Sequence, residues 1–233
     1  MKPIIKWVGG KTQLLPDILR LSPVEYNRYL EPFLGGGAVL LALSPRRAIV
    51  NDLNKELINT YNVVKYYPQA LMDKLDQHEK DHSEDYYYKI RGLDRLVGLE
   101  NLNHIYRASR FVYLNKTGFN GLYRVNSQGY MNVPFGKKNE VSLYDAVNIK
   151  KVHKFLKGNK VKMCNMDYYD FILKHVEEGD FVYLDPPYHP ISETSAFTSY
   201  QKEGFDAKEQ EKLRDVCVEI DRRGAKFLLS NSN

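Results

Sequence analysis

The residues Asp185-Pro186-Pro187-Tyr188 directly follow the apolar run Phe181-Val182-Tyr183-Leu184, and their types suit one task, making a conjugated amine nucleophilic. The exocyclic amine of a nucleobase is planar because its lone pair is delocalised into the ring. The Asp185 carboxylate and the Pro186 carbonyl can each accept one N–H, which draws the nitrogen toward tetrahedral geometry and localises that lone pair. Two consecutive prolines, Pro186 and Pro187, stiffen the carbonyl's position. Tyr188 offers an aromatic face on which an extruded base can stack, the arrangement expected where chemistry is done on a base taken out of its duplex. The bland alternative is a buried strand followed by a Pro-Pro turn and a core tyrosine.

A carboxylate in this role needs a rigid strand beneath it and a reaction partner beside it. The stretch from Arg28 to Leu43 supplies the second requirement. Tyr29-Leu30-Glu31-Pro32-Phe33 reads as a strand, Gly35-Gly36-Gly37 as a tight loop and Ala38 to Leu43 as an apolar helix. A second strand, Ala48-Ile49-Val50, ends at Asn51-Asp52. Strand, glycine loop, helix, strand, acid is the order of a nucleotide-binding half-fold, with the acid placed for ribose hydroxyls. The third glycine of a G-x-G-x-x-G fingerprint would fall at Leu40. A dinucleotide is therefore disfavoured against a smaller nucleoside-containing cofactor.

Further parallel strands are expected at Val161 to Cys164, in the run ending at Leu184 and at Ala225 to Leu229, the last preceded by an amphipathic helix from Ala207 to Arg222. These alternate as in an open α/β sheet. Between Asp52 and Lys160 the texture changes. Asn59 to Gly98 is charged and tyrosine-rich with helical spacing, and Arg110 to Lys138 is aromatic, basic and punctuated by glycine, which reads as an insertion. Within it, Tyr113 to Arg124 interleaves amides, aromatics and cations, an inventory for reading base edges and phosphates. On composition alone a β-hairpin with inward aromatics is the simpler reading.

Other motifs compete. His78-Glu79-Lys80-Asp81-His82 matches H-E-x-x-H, a zinc hydrolase signature when it lies on a helix, but its neighbours from Asp73 to Asp85 are almost all polar and no third ligand is identifiable. No metal site is expected. Gly9-Gly10-Lys11-Thr12 ends like a P-loop, yet the first glycine of that motif would fall at Ile5. Tyr86-Tyr87-Tyr88 stays unassigned.

The 233 residues carry a net charge of +5 with a pI near 8.9, which permits a polyanionic partner without requiring one. Cys164 and Cys217 form no C-x-x-C pair, so a reducing cytoplasm is the expected home. The N-terminus has no signal-length apolar stretch and no run approaches membrane-spanning length. A soluble protein without a membrane role or an obligate protein partner is expected.

Lys6 to Lys11, Glu31 to Gly37, Asn51-Asp52, Asn120-Gly121-Leu122-Tyr123-Arg124, Asn132 to Gly136 and Asp185 to Tyr188 stand in the order of the Dam and DpnII-type DNA adenine-N6 methyltransferases, which the chain resembles over nearly its whole length. The segment from Leu184 to Phe205 looks most like the DpnII-type branch. The resemblance implies S-adenosylmethionine as donor, N6 of adenine in duplex DNA as acceptor, GATC as the site and base flipping as the means. It implies a Rossmann-like methyltransferase sheet, residues 1–57 and 160–233, with an inserted, mostly helical target-recognition domain carrying a β-hairpin, residues 58–159. Trp7, Lys11, Phe33, Gly35 and Gly37 would surround the cofactor, Asp52 would take its ribose, and Asp167 and Tyr168 its adenine. Asp185 is the central catalytic residue, beside Pro186, Pro187 and Tyr188. Asn120, Leu122, Arg124 and Pro134 match recognition positions. The family usually has an arginine and an aromatic after Pro-Phe-Gly, whereas Lys137 and Lys138 stand here, and lysine provides charge without arginine's planar fork. Lys137 therefore suits phosphate better than a base.

The chain ends at Ser230-Asn231-Ser232-Asn233, where the resemblance implies further helix and strands, so an incomplete sheet edge is expected. Two other functions remain compatible with the residues: a DNA-binding protein that has lost catalysis, and a cytosine-N4 methyltransferase using the same Asp-Pro-Pro-Tyr chemistry.

Overall fold

A computed structural model describes residues 1–187 and 207–230. Tyr188, the stretch from Ser192 to Tyr200 and the final Asn231 to Asn233 lie outside the described residues. A short N-terminal arm leads into helix α1 (Leu15–Leu21), strand β1 (Tyr29–Glu31), helix α2 (Ala38–Leu43) and strand β2 (Ala48–Asn51). Five helices follow: α3 (Lys55–Tyr66), α4 (Pro68–Lys80), α5 (Glu84–Leu96), α6 (His104–Thr117) and α7 (Ala146–Gly158). Strand β3 (Lys162–Cys164), helix α8 (Tyr168–His175), strand β4 (Phe181–Leu184), helix α9 (Ala207–Arg222) and strand β5 (Lys226–Leu229) complete the order.

The strands form one parallel sheet in the order β3-β2-β1-β4-β5, with Leu30 opposite Ile49 on one side and Val182 on the other. The chain runs outward from β1 to β3 and returns to β4, so the strand order reverses between β1 and β4. Ligands of open α/β sheets bind at this reversal, outside the strands' carboxyl ends. Both central strands are buried along their whole length, which explains why β4 reads as an unbroken apolar run. Alternate residues feed two cores: Tyr29, Phe181 and Tyr183 pack on one face, while Leu30, Val182 and Leu184 pack on the other with α8 and α9. On α9 the buried Leu213, Val216 and Ile220 recur at helical spacing and form its inward stripe. On the outer strand β5, Phe227 and Leu229 are exposed.

Helices α3 to α7 fill the connection from β2 to β3. Asn54, Ser83, Asn103 and Asp145 cap α3, α5, α6 and α7 through their side chains. Helix α3 runs unbroken across the division expected between residues 57 and 58. The stretch read as a hairpin forms no regular strand. Tyr113 to Thr117 belong to α6, where Asn115 and Thr117 are buried and hydrogen-bonded, and the chain beyond turns back through isolated antiparallel bridges Gly118–Phe135 and Val125–Met131. No helix among the described residues is long and apolar enough to cross a membrane.

Candidate active site

The ends of β1, β2 and β4 and the N-terminal arm meet at the reversal point. Asp185 leaves β4 with its carboxylate oxygen Oδ1 2.7 Å from Lys11 Nζ, whose side chain is only 6% exposed. Lys11 also donates to the Gly9 carbonyl at 2.9 Å. Burial pushes the Asp185 carboxyl above the usual carboxylate range, and Lys11 works against that shift. Sequence reading placed Lys11 by the cofactor. The structure couples it to the Asp185 carboxylate, 174 positions away in the chain. Pro186 is buried and Pro187 exposed. The floor beneath Asp185 is fixed by β5, since Ser230 donates its N–H to Leu184 at 2.8 Å and its hydroxyl lies 2.8 Å from the Tyr183 hydroxyl.

The glycine loop after β1 is wedged between aromatic rings. Gly35 and Gly37 hold φ of +49° and +67°, and a Cβ at each would stand 2.8 Å from Trp7 Cδ1 and 2.9 Å from the Tyr61 hydroxyl. Only glycine meets both the backbone and the space. The Tyr61 hydroxyl donates to the Gly36 carbonyl at 2.6 Å, and Asp52 Oδ2 accepts the Gly35 N–H at 2.9 Å. Asp52 Oδ1 accepts the Asn54 N–H at 2.8 Å. Burial lifts the Asp52 carboxyl to about 6, against the lowering effect of those two backbone donors.

Two participants were missed from sequence. Asn51 is 1% exposed, and its amide donates to the Pro32 carbonyl at 3.0 Å and the Met166 carbonyl at 2.9 Å while its oxygen accepts the Met166 N–H at 3.0 Å. One side chain thus ties together the loops after β1, β2 and β3. Glu31, at the end of β1, is 2% exposed and its Oε2 meets no hydrogen-bond partner among the described residues. Burial, reinforced by the nearby Asp185 charge, holds its carboxyl well above the usual range. Nothing local in the sequence separates this buried acid from an exposed one.

Phe33 and Tyr168 form an aromatic pair with centroids 4.9 Å apart on the far side of the glycine loop. Asp167 caps α8 by accepting the Tyr169 N–H at 2.8 Å, and both its oxygens lie 3.1 Å from Lys212 Nζ of α9. That ammonium also sits 4.7 Å over the Tyr168 ring. The aromatic wall of the arm continues into α6 and the loop after it. Trp7 lies parallel to Tyr123 at 6.4 Å, and Tyr123 meets Phe111 at 4.7 Å.

Lys6 reaches across Gly121, where a Cβ would come within 2.5 Å of Lys6 Cδ, and its backbone is paired with the Asn115 amide on both sides. The candidate recognition residues are thereby fastened beside the N-terminal arm. Asn120, Pro134 and Lys137 are exposed, and Leu122 and Arg124 half-buried. The Phe119 N–H donates to the Pro134 carbonyl at 2.9 Å, joining the two limbs of the loop.

The H-E-x-x-H residues are used structurally. His78 Nδ1 and Nε2 lie 2.8 and 3.2 Å from the Tyr86 and Ser109 hydroxyls, and His82 contacts the Tyr113 hydroxyl at 2.9 Å and the Lys138 carbonyl at 2.8 Å. Burial lowers His78 to about 4, so its ring is neutral at physiological pH. His82 lies beyond the end of α4, so the two rings share no helix face.

The family model for D12 class N6 adenine-specific DNA methyltransferases matches residues 7–233. The chain is 43% identical over 233 residues to a type II methyltransferase, M1.LlaDCHI, of Lactococcus lactis subsp. cremoris, covering 100% of this chain and 82% of the relative. It is 38% identical to the type II methyltransferase M.MjaIII of Methanocaldococcus jannaschii, covering 100% and 84% of the two chains. To the DNA adenine methylase of Escherichia coli K12 it is 32% identical, covering 99% and 80%. The strand-end acids, the glycine loop and the Asp185 turn thus lie within a match that spans almost the entire chain, and the chain belongs to the D12 class of N6 adenine-specific DNA methyltransferases.

Proposed function

We propose that this enzyme transfers a methyl group from S-adenosylmethionine to N6 of an adenine flipped out of duplex DNA within GATC. The observation that carries this reading is the meeting of Asp185, Lys11 and the Asp52-braced glycine loop at the one point where the strand order reverses. The residues fit the cofactor. Gly35 and Gly37 let the loop backbone close against Trp7 and Tyr61, Asp52 retains lone pairs for ribose hydroxyls after its two backbone bonds, and Phe33 with Tyr168 offers aromatic faces to an adenine whose amino group can donate to Asp167. The cofactor supplies a methyl group on a sulfonium, activated for direct displacement. The enzyme's own residues supply geometry and charge. Asp185 and the Pro186 carbonyl accept the two N–H groups of the target amine and stabilise the positive charge that develops on N6. Lys11 opposes the upward shift that burial imposes on Asp185. Tyr188, outside the described residues, would stack on the target base.

For DNA, the proposal divides labour within the insertion. Arg124 offers the fork that pairs with guanine O6 and N7, Asn120, Leu122 and Pro134 line the same loop, and Lys137 takes phosphate. A basic cluster beside the loop supports this. The Lys138 ammonium donates to the Lys116 carbonyl at 2.7 Å, and Lys116 is held below the usual lysine range by burial and then by Lys6 and Lys138. Crowded ammonium groups are stabilised by a polyanion. We assign residues 58–159 to the target-recognition part and the remainder to catalysis.

Two outcomes test these assignments. Asp52→Ala is expected to weaken S-adenosylmethionine binding by roughly 1.5 to 3 kcal/mol with the fold intact, the weight of a charge-assisted hydrogen-bond partner. Because Asp52 titrates near 6, cofactor affinity should rise as pH increases through that value and should lose this dependence in Asp52→Asn. Calorimetry across pH 5 to 8 reads both, and unchanged affinity in a folded Asp52→Ala protein would move the cofactor elsewhere. For readout, Arg124→Ala should relax preference at one base pair by roughly 1 to 3 kcal/mol, whereas Lys137→Ala should weaken all duplexes alike and lower the salt slope by about one. The assay uses GATC duplexes and duplexes altered singly at each base. Full discrimination in Arg124→Ala would remove this loop from the recognition surface.

A further inference from the structure

We infer that Asn132 is a specificity-positioning residue whose side chain sets the plane of the Arg124 guanidinium. The inference deepens the reading of Arg124 as a base-reading residue and rests on it. Arg124 Nε donates to Asn132 Oδ1 at 2.9 Å, and the Asn132 N–H donates to the Arg124 carbonyl at 3.1 Å. The two residues therefore hold each other at side chain and backbone. A guanidinium is planar, so a fixed Nε–H direction fixes the direction of the remaining fork. Bidentate pairing with a base edge depends on that direction.

Asn132 is itself held by helix α5 in an unusual way. One edge of its segment bridges residues 124–126, and charged side chains of α5 bond its backbone as well. The Met131 N–H donates to Asp94 Oδ2 at 2.8 Å, and the Met131 carbonyl accepts from Arg95 at 2.7 Å. Two residues on, the Val133 carbonyl accepts from Arg91 and from the Tyr87 hydroxyl, both at 2.9 Å. Asp94 is fixed in turn by Arg110 at 3.0 Å, each side chain 4% exposed. Met131 and Val133 are buried against the helices, so extended alternation turns Asn132 outward, toward Arg124.

The test compares Asn132→Ala, Asn132→Asp, Arg124→Ala and the Arg124→Ala/Asn132→Ala double variant in single-turnover methyl transfer on GATC duplexes and on duplexes altered at each base pair. Asn132→Ala should lower discrimination about three- to tenfold, the weight of one side-chain hydrogen bond, and only at the base pair that Arg124→Ala affects. Asn132→Asp keeps the acceptor and should restore the ratio between duplexes, even where its charge weakens binding to all of them. The double variant should match Arg124→Ala alone, because a residue that acts through Arg124 has nothing left to act on. An Asn132→Ala effect that adds to Arg124→Ala, or that falls on another base pair, would overturn the inference and make Asn132 a DNA contact in its own right. Loss of discrimination in Arg124→Ala with none in Asn132→Ala would overturn this inference alone. Intact discrimination in Arg124→Ala would overturn the base-reading assignment and the inference together.

Discussion

Replacing Asp185 with alanine is expected to slow single-turnover methyl transfer by about a hundredfold to a thousandfold while duplex affinity stays within a few fold. The carboxylate is asked to stabilise charge that appears on N6 only as the methyl group moves, and loss of one such preorganised group typically costs about 3 to 4 kcal/mol. The fold should tolerate the change, because Asp185 stands at the mouth of the sheet with its side chain 20% exposed, above a floor fixed by Tyr183 and Ser230. Rapid-quench measurement with excess enzyme isolates the chemical step. A variant that kept more than half the parental rate would show that Asp185 does not handle the amine.

Lys11→Met should have the second-largest effect, and its signature lies in the pH profile. Burial already holds Asp185 above the usual carboxylate range, and the Lys11 ammonium 2.7 Å away is the group that draws it down. Removing one partner of a buried pair costs roughly 3 to 5 kcal/mol, with the lower end expected here because Asp185 keeps some solvent contact. Only the carboxylate accepts both the charge and the N–H, so the transfer rate rises with pH through the Asp185 titration, and that limb should move to higher pH in Lys11→Met. Stability moves the opposite way. A carboxyl whose folded value is raised contributes stability below its unfolded value and loses it as pH rises through the folded one, so Lys11→Met should melt progressively lower than the parent as pH increases. A variant with an unshifted rate profile and parallel melting curves would show that the ion pair does not tune Asp185.

The elements that act through neighbours in sequence were legible before the structure. The apolar run of β4 with its Asp-Pro-Pro turn, the glycine loop with α2 exactly behind its strand, and Asp52 at the end of β2 each carry their signal within a dozen residues. What stayed hidden depends on partners far away in the chain. The motif marked Lys11 but not its pairing with Asp185, and marked Asn51 but not its bonds to the carbonyls of Pro32 and Met166. The recognition loop was read as a hairpin from its aromatics and glycines; it turns back through isolated antiparallel bridges, and what the sequence did not show is that Asp94, Arg95 and Arg91 of α5 bond its backbone as well. The converse error was available at His78 and His82, whose spacing fits zinc while their environments supply tyrosine, serine and backbone partners.

The most direct test of the account is to react the protein with methyl-labelled S-adenosylmethionine and unmethylated duplex DNA carrying a single GATC beside singly altered copies, and then to map the modified base. The account predicts label on N6 of the adenine, concentrated at GATC and absent with Asp185→Ala. Label on cytosine N4, or label spread evenly over the altered sites, would contradict it.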